Sequence, residues 1–319
     1  MSYTLRWSAF VAALGIAVGL VACGGGGGSA SPSGIANNAA AAMPPTGTVT
    51  PDASAPVLTG NIAADGRNWI NYRRTQAGMP AVAENAQINV AAQGHSDYQR
   101  VNNLMSHDQT AGRQGFTGAT LADRLNAAGY TLPANGFAYG EVISGTNNRS
   151  GFYMAEELIT AIFHRFVIFE PMFREIGTGA ATAANGFNYF TADFGTRGGF
   201  TSGIARGTVV TWPFNGQTQV TPNFFSDSEE PDPVQGRNEV GYPISVHANL
   251  EFDIAVQSFS VRPRGGANLQ VQRVDPTGDK TAAAIVPLAP LAAATTYDVS
   301  FTGSVGGTPV AREWSFTTR

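Results

Sequence analysis

Residues 61–200 repeat their apolar positions at helical spacing, whereas residues 240–319 alternate apolar and polar positions over short runs. In the first stretch, "AADGRNWINYRRTQAGMP" predicts a helix with Asp65 as N-cap, stopped by Gly78-Met79-Pro80. "ENAQINVAAQGHSDYQRVNNLMSH" predicts a second, with Ile88, Ala91, Ala92, His95, Tyr98 and Val101 on one face. A third begins near Thr120, with Gly129 just past its end, and a fourth follows Ser150 in "SGFYMAEELITAIFHRFVIF". Asn185-Gly186 lies between two apolar runs and predicts a hairpin. Helices followed by a late hairpin give an α+β class, helices packed on an antiparallel sheet. In the second stretch, "YDVSFTG" and "EWSFTT", with turn residues recurring between runs, predict a β-sandwich in which Trp314 and Phe316 face inward together.

The remaining segments fit neither pattern. An apolar run follows Arg6, and 16 residues separate that arginine from Cys23, the only cysteine of 319 residues. A membrane-crossing helix needs roughly 20 apolar residues, so the run suits a secretory signal. Leu20-Val21-Ala22-Cys23 resembles the bacterial lipobox, which implies a lipidated Cys23 as the first mature residue, and hence a membrane partner. A single cysteine forms no internal disulfide, so the fold rests on its core. Gly24 is not the aspartate of inner-membrane retention, so the expected location is the cell envelope, with the outer membrane favoured where there is one. Residues 24–60 are Gly, Ala, Ser, Pro and Thr with little to bury, and read as a tether. Residues 201–239 read as a connecting segment. Within it "SDSEEPDPVQGRNEVGYP" (Ser226–Pro243) begins an acidic, Pro-rich stretch without the ordered spacing of a calcium loop, expected to be a solvated linker. The net charge is −4, and no basic stretch or aromatic platform points to nucleic acid.

"NYRRTQAGMPAV", "AAQGHSDYQ", "MSH", "ADRLNAAGY", "YGEVI", "FHR", "PMFREIGTG" and "NYFTADFG" occur in that order across residues 65–195. Together they resemble the bacterial branch of the CAP superfamily, the SCP-like domains. The resemblance implies a three-layer α-β-α sandwich over residues 61–200, with a cleft lined by two histidines and acidic residues. His107 in "MSHDQ" and His164 in "FHR" match the two histidines, and Glu141 in "YGEVI" matches the glutamate of the GEN motif. The asparagine that follows it in the family is Val142 here. The family's other glutamate is replaced by Ala161, and Glu157, seven residues before His164, could substitute if the helix runs unbroken. "LAPLAAATTYDVSFTG…EWSFTT" resembles the closing strands of bacterial Ig-like domains, which implies a small all-β sandwich over residues 240–319.

Two imidazoles and a carboxylate can hold a divalent metal such as zinc, or serve as an acid–base set without one. The resemblance therefore implies a binding module whose cleft takes a lipid, a cell-wall fragment or a protein. One alternative is a metal-assisted hydrolase using His107, Glu141 and His164, and another is a surface scaffold or adhesin. Enzymatic activity stays open, with binding preferred. There is no G-x-S-x-G and no HExxH. His95 reads as a satisfied core histidine, and His247 as incidental.

Overall fold

The computed structural model describes residues 54–200, 203–276 and 280–319. Cys23, the lipobox and most of the tether lie outside the described residues. No helix among the described residues is long and apolar enough to cross a membrane. The fold is mixed α/β, with a β-rich C-terminal region.

The N-terminal part contains α1 (Ile62–Gln76), β1 (Ala83–Glu84), α2 (Ala86–Asn102), α3 (Leu121–Ala127), β2 (Ala138–Thr146), α4 (Gly151–Thr160), α5 (Ile162–Ile168), β3 (Glu175–Thr182) and β4 (Asn188–Thr196). The sheet runs β1-β3-β4-β2, with β1 parallel to β3 and the other pairs antiparallel. The hairpin at Asn185-Gly186 joins β3 to β4, and Gly186 adopts φ 86°, which the turn requires. The N-cap of α1 is Asn61 rather than Asp65. Asp65 sits in the first turn and accepts from the Thr59 and Gly60 amides and the Thr59 hydroxyl. Thr120 and Asp123 form a capping box on α3.

Successive residues of a strand point to opposite faces, and the contacts sort the helices accordingly. On one face, Thr191 of β4 accepts from Ser96 of α2, and Tyr130, just past α3, reaches the position a Gly195 side chain would take. On the other, Phe190 packs on Gly66 of α1. Glycines of β3 let α2 lie directly on the sheet. A Cβ on Gly177 or Gly179 would stand 2.2–2.3 Å from the backbone of Asn89 or Gln93. That close approach sets α2 over the sheet face that carries Glu141.

The predicted fourth helix is two. The chain breaks at Ala161, whose ψ of 125° is extended, so α4 ends at Thr160 and α5 begins anew. Arg165 fills the break. Its buried guanidinium donates to the carbonyls of Ile159 (2.6 Å) and Thr160 (3.2 Å), which α4 leaves unpaired. The argument that Glu157 and His164 share a helix face therefore fails.

The C-terminal region holds β5 (Val209–Trp212), β6 (Gln217–Val220), β7 (Asn223–Phe225), β8 (Glu239–Gly241), β9 (Ile244–Ala248), β10 (Ile254–Pro263), β11 (Val271–Val274), β12 (Ala282–Pro287), β13 (Thr296–Val305) and β14 (Thr308–Thr318). They form sheets β10-β13-β14-β6 and β11-β12-β9-β5, and a small β7-β8 pair. Trp314 and Phe316 are buried and Ser315 between them is not, as their alternation predicts.

The segment expected to be connecting and solvated is largely folded. Its β5 pairs with β9 and its β6 with β14, so strands from before residue 240 complete both sheets. Within the acidic stretch Ser226, Glu229, Val234 and Val240 are buried. Phe224, Val234 and Val240 pack with Ile162, Phe163 and Phe166 of α5. A second apolar cluster runs from Ile70, Met154 and Phe169 to Trp212, Val246 and Ile285, so both halves share one core. Each such side chain contributes about 1.5–3 kcal/mol when fully buried.

Candidate functional site

Glu141 stands on the α2 side of β2, directly across from Asp193 of β4. Val142 points the other way, into the apolar core. The Glu141 carboxylate is almost wholly enclosed. Its Oε2 accepts from Arg124 of α3 at 2.6 Å, and its Oε1 lies 2.8 Å from Nδ1 of His107. Nε2 of His95 lies 3.9 Å from Oε2. Burial opposes ionisation of Glu141. The Arg124 guanidinium, with the two histidines, outweighs it and holds the carboxyl well below the usual range. Asp193 goes the other way. Burial, then the neighbouring Glu141 carboxylate, keep its pKa well above the usual value, so the pair carries one negative charge opposite Arg124.

The loop bearing His107 is pinned on all sides. Nε2 of His95 donates to the Ser106 carbonyl at 2.7 Å, which leaves Nδ1 to accept from the Gln109 amide at 3.0 Å. The Thr110 amide donates to the Tyr98 hydroxyl (2.9 Å), and Arg124 donates to the His107 carbonyl (2.8 Å). His95 is fully buried, and burial pushes its pKa down to about 4, so it is neutral, as its two bonds require. It is the core histidine its helix face predicts, and it also fixes the backbone next to His107.

An ionised carboxylate only accepts, so Nδ1 of His107 carries the proton and donates to Glu141. In the neutral ring Nε2 is then the acceptor. It is buried and has no hydrogen-bond partner among the described residues, although the ring keeps 12% of its surface exposed. Nε of Arg124 is likewise buried without a hydrogen-bond partner, and Asp193, holding its proton, donates to the Glu141 carboxylate.

The structure brings His107 and Glu141 together but not the rest of the predicted set. His164 is 7% exposed and lies with Nδ1 3.0 Å from Oε1 of Glu229, a residue of the expected linker. Glu157 bonds to Tyr153 instead of joining a cleft, and burial lifts its pKa to about 6. Among the described residues no group of three or more His, Cys, Asp or Glu is placed to hold a metal ion. Both Glu141 oxygens are engaged and a guanidinium stands against one of them, so His107 and Glu141 do not fit a divalent cation. Arg124 and Asp193 do not stand out as site residues in the sequence. Arg124 falls three residues after Leu121, on the buried stripe of α3, and a charge on such a stripe is a signal. Asp193 becomes visible only through the β2–β4 register.

Residues 68–194 match the family model for the cysteine-rich secretory protein family, CAP, so the chain carries a CAP domain there. Three solved structures are similar in part. One is an extracellular SCP-domain protein from Bacillus anthracis str. Ames, with 24% identity over 48% of this chain and a TM-score of 0.36. The match covers 45% of that protein, less than half its length. The second is an outer surface protein from Borrelia burgdorferi, with 14% identity, 41% of this chain, 90% of that one and a TM-score of 0.34. The third is the copper resistance protein PcoC from Escherichia coli, with 16% identity, 34% of this chain, 95% of that one and a TM-score of 0.23. No curated protein matches the chain.

Proposed function

We propose that this chain is an extracytoplasmic CAP-domain binding module, anchored through a lipidated Cys23 and carrying an Ig-like β-sandwich behind its cleft. The membrane is one partner and the cleft ligand the other, a lipid, a cell-wall fragment or a protein segment. The observation that carries the reading is Nε2 of His107, buried and unpartnered among the described residues on a ring that keeps 12% of its surface exposed. Glu141 fixes the tautomer and Arg124 fixes Glu141, so the site offers a pre-set acceptor to a ligand hydroxyl or N–H. No metal takes part in this reading.

A histidine oriented by a carboxylate is also the arrangement of a general base, which supports a second reading as a metal-free hydrolase. Nitrogen NMR of His107 tests both. Titration with lysophospholipid, muropeptide or a peptide library should move the Nε2 resonance in the wild type and leave His107→Ala silent. Failure of all three probes to move it sinks the binding reading, and release of cleaved product would replace it with the hydrolase.

A further inference from the structure

The outer face of the sheet β10-β13-β14-β6 carries a concavity of about 530 Å³, far from any use in the cleft reading. Sites for small ligands span about 300–1,000 Å³. The strand register sets two rows on its floor. Ser260, Ser300 and Glu313 face one another in one row, and Arg262, Asp298 and Ser315 in the next. Their neighbours Val261, Val299, Phe301 and Trp314 are buried, so these six side chains point outward. A polar outer face is ordinary for an antiparallel sheet; what sets this one apart is its concavity and the arrangement of its groups. Here short hydroxyls form the middle and long polar side chains the edge. Asn215 forms one wall, held by the Ser315 amide donating to its Oδ1 at 3.1 Å, and Asn268 another. Ser260, Asp298, Ser300 and Ser315 are half-buried despite facing outward.

The charges narrow the ligand. Arg264 donates twice to Asp298, at 3.0 and 2.7 Å, and is neutralised by it. Arg262 and Glu313 form no ion pair with each other among the described residues, and they stand on strands separated by β13. Two arginines and two acids sum to zero, which does not favour a phosphate or any other anion. The lining is polar, which does not favour a lipid tail. The backbone of β13 is consumed in ladders on both sides, and at the edge strand β10 the Val261 carbonyl accepts from the Leu269 amide, the Pro263 carbonyl from the Gly266 amide, and Pro263 has no N–H to give, which does not favour an added peptide strand beside the concavity. What remains is a neutral ligand rich in groups that both donate and accept.

We propose that this concavity binds an uncharged oligosaccharide, with sugar hydroxyls on the serine floor, Arg262 donating from one strand and Glu313 accepting from the other. Strands lie about 4.8 Å apart, so β10 and β14 are separated by about 10 Å, a span longer than a single sugar ring.

Amide NMR of the full chain tests this with chitotetraose and maltotetraose as probes, the first standing for N-acetylated wall glycans and the second for plain hexose polymers. At least one should shift the Ser260, Ser300 and Ser315 amides saturably at millimolar concentration, unchanged at high salt. Ser300→Trp should abolish the shifts by filling the floor. Glu313→Gln and Arg262→Gln, which leave the sheet intact, should each weaken them several-fold. His107→Ala should leave them as they are, which separates this site from the cleft. The proposal is overturned if neither sugar shifts these amides, if Ser300→Trp binds like wild type while folded, or if inorganic phosphate binds more tightly than either sugar.

Discussion

His164 and Glu229 hold the two halves of the chain against each other, Nδ1 to Oε1 at 3.0 Å. The same carboxylate accepts the backbone N–H groups of Ile162 (2.8 Å), Phe163 (2.7 Å) and His164 (3.0 Å). Glu229 is 2% exposed, so a buried anion here meets four donors at the start of α5. Arg165, one residue on, donates to the Pro243 carbonyl at 2.7 Å and lies 5.0 Å from the ring centre of Tyr242. A polar lock and an apolar cluster thus join α5 to the strands that follow it. The second histidine of the CAP resemblance serves this joint and not the Glu141 site.

Wild-type chain should therefore resist proteolysis between Ser226 and Gly241 and unfold in one transition. Glu229→Ala leaves three buried N–H groups without an acceptor. It should lower stability by about 2–4 kcal/mol in urea and open this stretch to protease. Recovery of two stable fragments from the wild type, cut in this stretch, would show that the halves are independent.

Short-range signals in the sequence located much of the fold. Thr120 with Asp123, Gly186 at the hairpin, and Trp314 with Phe316 each depend on neighbours a few residues away. The break at Ala161 was not legible, because its partners are Glu229 and Arg165, and Glu229 lies 67 residues from Ile162. The same holds for β5 and β6, whose short runs gain meaning only beside β9 and β14. At the candidate site, His107 and Glu141 were reached through the resemblance. Arg124 and Asp193 are set by tertiary packing, and an acidic run such as that around Glu229 reads as solvated until a helix start is found against it.

The anchor is tested apart from the fold. If Cys23 carries the lipid, Cys23→Ser should leave the protein unprocessed or release it from the membrane fraction. Fractionation of cells expressing both forms decides it. A variant that is processed and sediments with membranes as the wild type does would end the lipoprotein reading.

Two buried histidines should make the protein acid-sensitive above the carboxylate range. Burial, then Arg165 and Arg74, push His247 down to about 3, and burial pushes His95 to about 4. Unfolded histidine titrates near 6.5, so below that the unfolded chain binds protons that the folded chain refuses. Stability should fall as pH drops from about 6.5, by about 1.4 kcal/mol per pH unit for each histidine. His247 packs between Phe166 and Phe169, with Nε2 3.0 Å from the Ser245 hydroxyl. In His247→Leu the slope of urea stability between pH 6 and 4 should therefore lose about one histidine's share. An unchanged slope would mean that His247 is protonated in the folded state.

Glu141 and Asp193 should pull stability in opposite directions with pH. Glu141 has a depressed folded pKa, so its contribution is complete above the unfolded value of about 4.3 and fades as pH falls below it. Asp193 has a raised one, so it costs stability as pH rises above about 3.9, where the unfolded side chain ionises and the folded one does not. Asp193→Asn keeps the shape without the proton, and should gain on wild type as pH climbs from 4 to 7. Arg124→Met removes the cation 2.6 Å from Glu141 and leaves a buried carboxylate with only histidine and the Asp193 proton for company. That should cost about 3–5 kcal/mol at pH 7, less at pH 4, and Glu141→Gln in the same chain should recover part of it. Urea midpoints of the four chains at both pH values measure this. A loss in Arg124→Met that is the same at pH 7 and pH 4, with no recovery from Glu141→Gln, would mean that Arg124 acts through packing and not through the Glu141 charge.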